Sequence, residues 1–167
     1  VVKSQIHAGG RGAGHFKNSF NKKGGVQIVS EKSEVVLIAS SMLNNILVTK
    51  QTGSKGKKVN RIFIEEGCDI DREYYLSIII DRNTSKLMMM ISSSGGIDIE
   101  AVAEENPEKI HNIFFDDFNN IQLPKYLEKK LNINSQQFAE LNDVCVKLVK
   151  AFISIDASTI EINPLVL

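Results

Sequence analysis

The sequence has no tryptophan, only two cysteines and only three prolines among its 167 residues. Cys68 and Cys145 lack C-x-x-C spacing, so the thiols point to a reducing compartment and away from a disulfide framework. His7, His15 and His111 show no metal-ligand spacing, which leaves no readable zinc site. No uninterrupted apolar run is long enough to cross a bilayer, so no membrane partner is expected. No charged stretch followed by an apolar one marks a secretion signal, and the first residue is valine, which reads as a segment or a processed product. Aromatics are scarce where positive charge is dense. Residues 1–60 offer only Phe16 and Phe20 beside ten Lys or Arg. Nucleic-acid binders interleave stacking aromatics with basic residues. A small phosphorylated ligand is therefore favoured over nucleic acid.

What is present is an uneven charge distribution under a net charge of zero. Residues 1–60 carry ten basic and two acidic side chains, and residues 61–167 carry ten basic and eighteen acidic ones. A basic part joined to an acidic part fits a polyanion held on one side and metal ions on the other. It equally fits charge segregation without a ligand. With 43% hydrophobic residues, the chain can form one globular domain or two small lobes around one site.

The most informative stretch is Val1-Val2-Lys3-Ser4-Gln5-Ile6-His7-Ala8-Gly9-Gly10-Arg11-Gly12-Ala13-Gly14, a lysine-bearing strand running into a glycine loop. Glycines let backbone approach a ligand closely, and successive N–H groups can wrap phosphate oxygens. Lys3 and Arg11 add cationic donors, and a guanidinium can grip phosphate through two parallel hydrogen bonds. The loop is not a Walker A motif, because His15-Phe16 follows Gly14 where Lys-Ser/Thr would be needed. Nor is it G-x-G-x-x-G, because Gly10, Gly12 and Gly14 are spaced by two. Alone, it fits a flexible glycine hairpin as well as an anion cradle.

Periodicity and breakers give a coarse α/β order. Strands are expected at residues 1–6, 25–29, 46–50, 59–64, 73–81 and 86–92, with a strand ending at 113–115 and a last one at 157–167. Residues 7–25 read as one long loop. Helices are expected at 31–43 with an N-cap signal at Ser30, at 99–105 before Pro107, at 124–131 with Pro124 in the first turn, and at 135–155. The last carries an apolar stripe of Phe138, Leu141, Cys145, Leu148, Phe152 and Ile155, which makes Cys145 a core thiol. Met88-Met89-Met90 reads as a buried strand covered on both faces. A join near Gly67-Cys68-Asp69 separates a small basic lobe, residues 1–68, from a larger acidic one, residues 69–167.

Polar positions stand out at strand ends. Glu65 can be a solvated strand end or a carboxylate that reads the donor edge of a purine. Glu161 and Asn163, two apart on the final strand, point to one face and offer oxygen ligands of the kind magnesium takes, although E-x-N also arises by accident. Pro164 cannot donate to a ladder, so that strand ends there or lies at a sheet edge.

Together these residues resemble the β subunits of succinyl-CoA synthetase. Besides the opening stretch, the resemblance is carried by Lys23-Gly24-Gly25-Val26, Lys50-Gln51-Thr52, Arg72-Glu73-Tyr74-Tyr75, Ser94-Gly95-Gly96-Ile97-Asp98-Ile99-Glu100, Val102-Ala103-Glu104 and Ile160-Glu161-Ile162-Asn163-Pro164-Leu165, in family order from end to end. The resemblance implies an ATP-grasp fold, two small α/β lobes around a nucleotide cleft. It implies a ligase that joins succinate and CoA using ATP or GTP with Mg²⁺. The reaction belongs to the tricarboxylic acid cycle and passes through a phosphohistidine on a partner α subunit. By the same resemblance Lys3 contacts phosphates, Gly10, Arg11 and Gly12 line the phosphate loop, and Glu65 and the backbone at Cys68 flank the purine. Glu73 binds ribose or nearby, Asn163 ligates Mg²⁺, and Glu161 faces the partner's phosphohistidine as the catalytic carboxylate.

Departures accompany the likeness. Cys68 stands where many relatives have threonine or serine. Residues 13–23 resemble relatives with an insertion. A further acidic Mg²⁺ ligand, a carboxy-terminal CoA-ligase domain and the amino-terminal part of the first lobe are expected outside these residues, so the segment alone is expected to be inactive. A bacterial cytoplasmic location is implied, with the mitochondrial matrix as the alternative. A malate–CoA ligase or other acyl-CoA synthetase subunit, and a non-catalytic nucleotide-binding module, are the competing readings.

Overall fold

A computed structural model describes residues 1–18, 24–118 and 120–167. Phe20, Lys22 and Lys23 lie outside the described residues. The chain divides into two compact units, Val1–Asp69 and Ile70–Leu167.

The first unit holds two small antiparallel sheets and a helix. Strand β1 (Val2–Gln5) pairs with β3 (Val26–Gln27) on one side and β6 (Arg61–Ile64) on the other. A second sheet joins β2 (His15–Phe16), β4 (Ile46–Val48) and β5 (Lys57–Lys58). The span read from sequence as one loop, residues 7–25, therefore contains a short strand, with His15 opposite Val48. Two residues are too few to show an alternating pattern. Helix α1 (Lys32–Met42) starts after Glu31, not after Ser30, and no side chain caps it. Its Val35, Ile38, Ala39 and Met42 face a core of Val2, Phe16, Leu47 and Val59, as their spacing predicts.

The second unit is built on one four-stranded antiparallel sheet in the order β10 (Thr159–Val166), β7 (Glu73–Asp81), β8 (Lys86–Ser92), β9 (Ile110–Phe115). Alternation decides its faces. Tyr74, Leu76 and Ile78 of β7 join Leu87, Met89 and Ile91 of β8 in the main core. Helix α4 (Ser135–Ser154) lies on that face with Cys145, Val149 and Phe152 buried. Its start is fixed by a capping box between Asn134 and Gln137, a reciprocal pair that satisfies two otherwise orphaned N–H groups. Ile155 falls outside the helix and is 69% exposed, so the apolar stripe stops at Phe152. The short α3 (Leu127–Lys130) begins three residues after Pro124, whose carbonyl accepts the Leu127 N–H in a preceding turn. Helix α2 (Ile99–Glu105) stands on the other side of the sheet, where with Tyr75, Ser77 and Met90 it borders an open groove. The methionine strand is thus sealed by core on one face, where Met89 has no exposed surface, and faces that groove with Met90 on the other.

β10 is an edge strand, the position Pro164 permits. Its register slips between Ile162, opposite Leu76, and Leu165, opposite Tyr74. Asn163 and Pro164 together therefore stand against Tyr75, a bulge of the kind that re-aims a side chain at a sheet edge.

Two outcomes follow from this packing. Burial pushes the Cys145 thiol up to about 12, whereas Cys68 is exposed. A thiol reagent at neutral pH should label Cys68 alone in the native chain and both after denaturation. Rapid native labelling of Cys145 would contradict the packing. Leu76, fully buried on the central strand, should cost about 2–5 kcal/mol when cut to alanine, read by denaturant unfolding.

Candidate functional site

In the first unit the polar residues gather around β1. Lys3 is half-buried on that strand and forms an ion pair with Glu65, just past the end of β6. Antiparallel pairing brings them together: Lys3 stands opposite Phe63, and Glu65 donates its N–H to the Val1 carbonyl. Both side chains are about a third or more exposed (32% and 40%). Such a pair is worth at most about 1 kcal/mol, so an incoming polyanion can compete for the ammonium.

The glycine loop is pinned from within the unit. Gly9 donates to the Gln51 side-chain carbonyl at 2.7 Å. The Arg11 carbonyl accepts the N–H of Gly14 at 3.3 Å and of Gly25 at 2.8 Å. Arg11 Nη1 donates to the Ser4 carbonyl at 2.7 Å. Gly10 has φ of 67°. One edge of the guanidinium is thus committed to the strand it follows. Sequence spacing assigns Gln51 no role. Its anchoring of Gly9 depends on a contact across 42 residues, which spacing does not reveal. Cys68 is exposed on the segment after β6.

In the second unit Glu161, Ser77, Met90 and Asn112 stand in line across the four strands on one face. Tyr75 is the diagonal neighbour of Glu161 on that face. A groove of about 440 Å³ opens there, lined among others by Tyr75, Ser77, Glu100, Asn112 and Thr159. A hydrogen bond with Asp98 holds the Glu100 carboxyl above the usual carboxylate range, and the nearby charges of Asp98 and Glu161 push the same way. Burial raises the Tyr75 phenol, and Glu161 and Glu100 raise it further against a hydrogen bond with Ser77. No spacing in the sequence marks Tyr75 and Glu100 as site residues. Their nearness to Glu161 arises from sheet register and from α2 crossing the face.

Glu161 and Asn163 are both exposed on β10. Asn163 is held on two sides: Oδ1 accepts the Gly96 N–H at 2.7 Å, and Nδ2 donates to the Ile97 carbonyl at 2.9 Å. The amide oxygen keeps a second lone pair. Glu73, the first residue of β7, accepts the Gly95 N–H on its carbonyl at 3.0 Å, and its carboxylate lies against Gly96. The structure thus joins Glu73 and Asn163 through one loop, places Glu161 on the adjoining sheet face, and groups Lys3, Gly10, Arg11, Gly12 and Glu65 separately in the first unit.

Among the described residues no cluster of three or more His, Cys, Asp or Glu side chains could hold a metal ion. Asn163 Oδ1 keeps one lone pair beyond the hydrogen bond it accepts from Gly96, and a neutral amide oxygen is a donor type that Mg²⁺ takes. That ion keeps waters and shares phosphate oxygens.

A family model described as an ATP-grasp domain matches residues 1–167. A succinate–CoA ligase [ADP-forming] subunit beta from Sinorhizobium medicae is 48% identical over 99% of this chain and 42% of its own length. The corresponding subunit from Brucella anthropi is 49% identical over the same shares. The chain therefore spans under half the length of the curated relatives it matches. Among solved structures, an ATP citrate lyase from Methanothrix soehngenii shares the fold with a TM-score of 0.67 at 17% identity, over 99% of this chain and 34% of that one. The mixed α/β architecture, the full-length match of the family model and the shared fold agree, and the chain belongs to the ATP-grasp domain family.

Proposed function

We propose that this chain is the nucleotide-binding portion of a succinate–CoA ligase β subunit. It would act with an α subunit that carries the phosphorylated histidine. The observation that carries the reading is identity of 46–49% along essentially the whole chain to subunits of that name, with Lys3, Arg11, Glu65, Glu73, Glu161 and Asn163 all present. The relatives' ADP-forming names support ATP over GTP and succinate over malate. The presence of Lys3, Arg11, Glu73, Glu161 and Asn163 together argues against a module kept only for binding. The reading keeps a bacterial cytoplasmic location, with the mitochondrial matrix as its alternative.

In this reading the Lys3 ammonium leaves Glu65 for the nucleotide phosphates, and the Gly10-Arg11-Gly12 backbone donates to them. Arg11 grips phosphate with the guanidinium edge turned away from Ser4. Glu65, once released, accepts from the amino edge of the purine beside the Cys68 backbone. Glu73 accepts from ribose hydroxyls. Asn163 would hold Mg²⁺ through its free lone pair, and the ion when bound neutralises charge on the phosphate oxygens. Glu161 orients the partner's histidine and stabilises its positive form as the phosphoryl group arrives. There is little covalent work for the protein here. Positioning and charge stabilisation carry phosphoryl transfer.

Two measurements on the full-length β subunit with its α partner test this. Lys3→Ala should lower kcat/KM for MgATP by about 10²–10³-fold, the loss typical of one preorganised donor. The melting temperature should barely move, because a half-exposed ion pair contributes little. Unchanged kcat/KM would refute the phosphate role. Glu161→Gln should slow phosphohistidine formation on the α subunit by about 10²-fold or more while leaving KM for ATP near its original value. A variant that labels the α subunit at the normal rate would remove Glu161 from the reaction.

A further inference from the structure

The loop that joins β8 to α2 carries no assigned role, yet it touches two of the proposed ligand residues at once. Gly96 has φ of 71°. A Cβ built on Gly96 would run into the Glu73 carboxylate group, with Cδ at 2.9 Å and Oε1 at 3.2 Å. A Cβ on Gly95 would strike the backbone of Tyr74, its nitrogen at 2.6 Å. The bare loop therefore lies flat on the start of β7, and the Glu73 carboxylate rests where a side chain of residue 96 would be. On its other side the loop reads the Asn163 amide with one donor and one acceptor, Gly96 N–H and Ile97 C=O. An amide can present oxygen or nitrogen to a ligand with almost the same shape. Donor and acceptor placed in this order fix which end is oxygen, and the bulge at Asn163-Pro164 brings that end to the loop.

We infer that Gly96 is a positioning residue of the nucleotide site: its missing side chain seats the Glu73 carboxylate, while its N–H sets the orientation of the Asn163 amide. The inference rests on the reading that Glu73 binds the ribose of the nucleotide. Gly96 itself touches no ligand. It acts through Glu73 and Asn163, so substitution should alter what the site recognises and not merely how well the chain folds.

The experiment compares ATP with 2′-deoxy-ATP and 3′-deoxy-ATP as substrates of the full-length β subunit assembled with its α partner. The wild type should prefer ATP to at least one analogue by about tenfold or more, the scale of one hydrogen bond to a charged group. Glu73→Ala and Gly96→Ala should both shrink that preference to about threefold or less. Gly53→Ala is the control. Gly53 also has positive φ, at 60°, but a Cβ there meets nothing within 4 Å, so it reports backbone strain alone and should keep the preference. A preference retained in Gly96→Ala but lost in Glu73→Ala would overturn the role of Gly96 and leave the ribose reading standing. A wild type without preference, or one unaffected by Glu73→Ala, would sink both. Melting temperatures of wild type, Gly96→Ala, Glu73→Asp and the double variant give a second test that needs no activity. The shorter aspartate clears space for the new methyl group, so the double variant should melt higher than Gly96→Ala alone. A double variant no more stable than Gly96→Ala would overturn the seat.

Discussion

The second unit depends on the register of β7. Its even-numbered residues, Tyr74, Leu76 and Ile78, fill the core against α4, and its odd-numbered ones, Tyr75 and Ser77, face the groove. Side chains alternate with a period of two, so a slip of one residue would exchange the two sets. The fully buried Leu76 and Ile78 forbid that slip. The same register then places Glu161 opposite Ser77 on one side and Met90 opposite Ser77 on the other. Hydrophobic burial thus fixes the address of the groove-facing residues.

The first unit achieves order differently. Among the described residues its core is small: Val2, Phe16, Met42 and Leu47 come from four separate elements, and Val59 from the link between β5 and β6. The glycine loop has little apolar surface of its own and is instead secured by hydrogen bonds to Gln51, Ser4 and Gly25. Each is worth roughly 1 kcal/mol net, enough to bias a loop without freezing it. The Lys3–Glu65 pair has the same character. It is partly exposed, and its net contribution is small enough for a phosphate to displace.

Much of this was legible in the sequence, and the reasons separate by physics. The strands Glu73–Asp81 and Lys86–Ser92 and the helix Ile99–Glu105 appear with the bounds expected. Their patterns are long, and turn residues or Pro107 stop them. Cys145 is a core thiol because it falls on the α4 stripe. The strand His15–Phe16, the uncapped start of α1 and the exposure of Ile155 were not legible. Each is decided by a tertiary partner or its lack, not by local pattern. The site shows the same division. Glu161 and Asn163 stand two apart, and both are exposed as alternation predicts. The bulge that turns Asn163 toward Gly96, the anchoring of Gly9 by Gln51 and the approach of Glu100 to Glu161 are long-range consequences that no spacing announces.

The carboxylates around the groove supply the last step. Asp98 and Glu100 share a hydrogen bond close to Glu161, and the structure answers by holding Glu100 above its usual protonation range. Like charges gathered on an exposed face do not help folding. A carboxyl whose folded pKa is raised binds its proton more tightly when folded, so its contribution favours the native state below the unfolded pKa and is lost as pH rises through the folded value. At neutral pH that contribution is therefore gone. In the reading proposed above, positive charge would ease the crowding around Glu100, whether as a metal ion held by Asn163 or as an imidazolium facing Glu161. On that reading the carboxylates that raise one another's proton affinity in the free chain are the groups that would attract the cations the proposed chemistry brings.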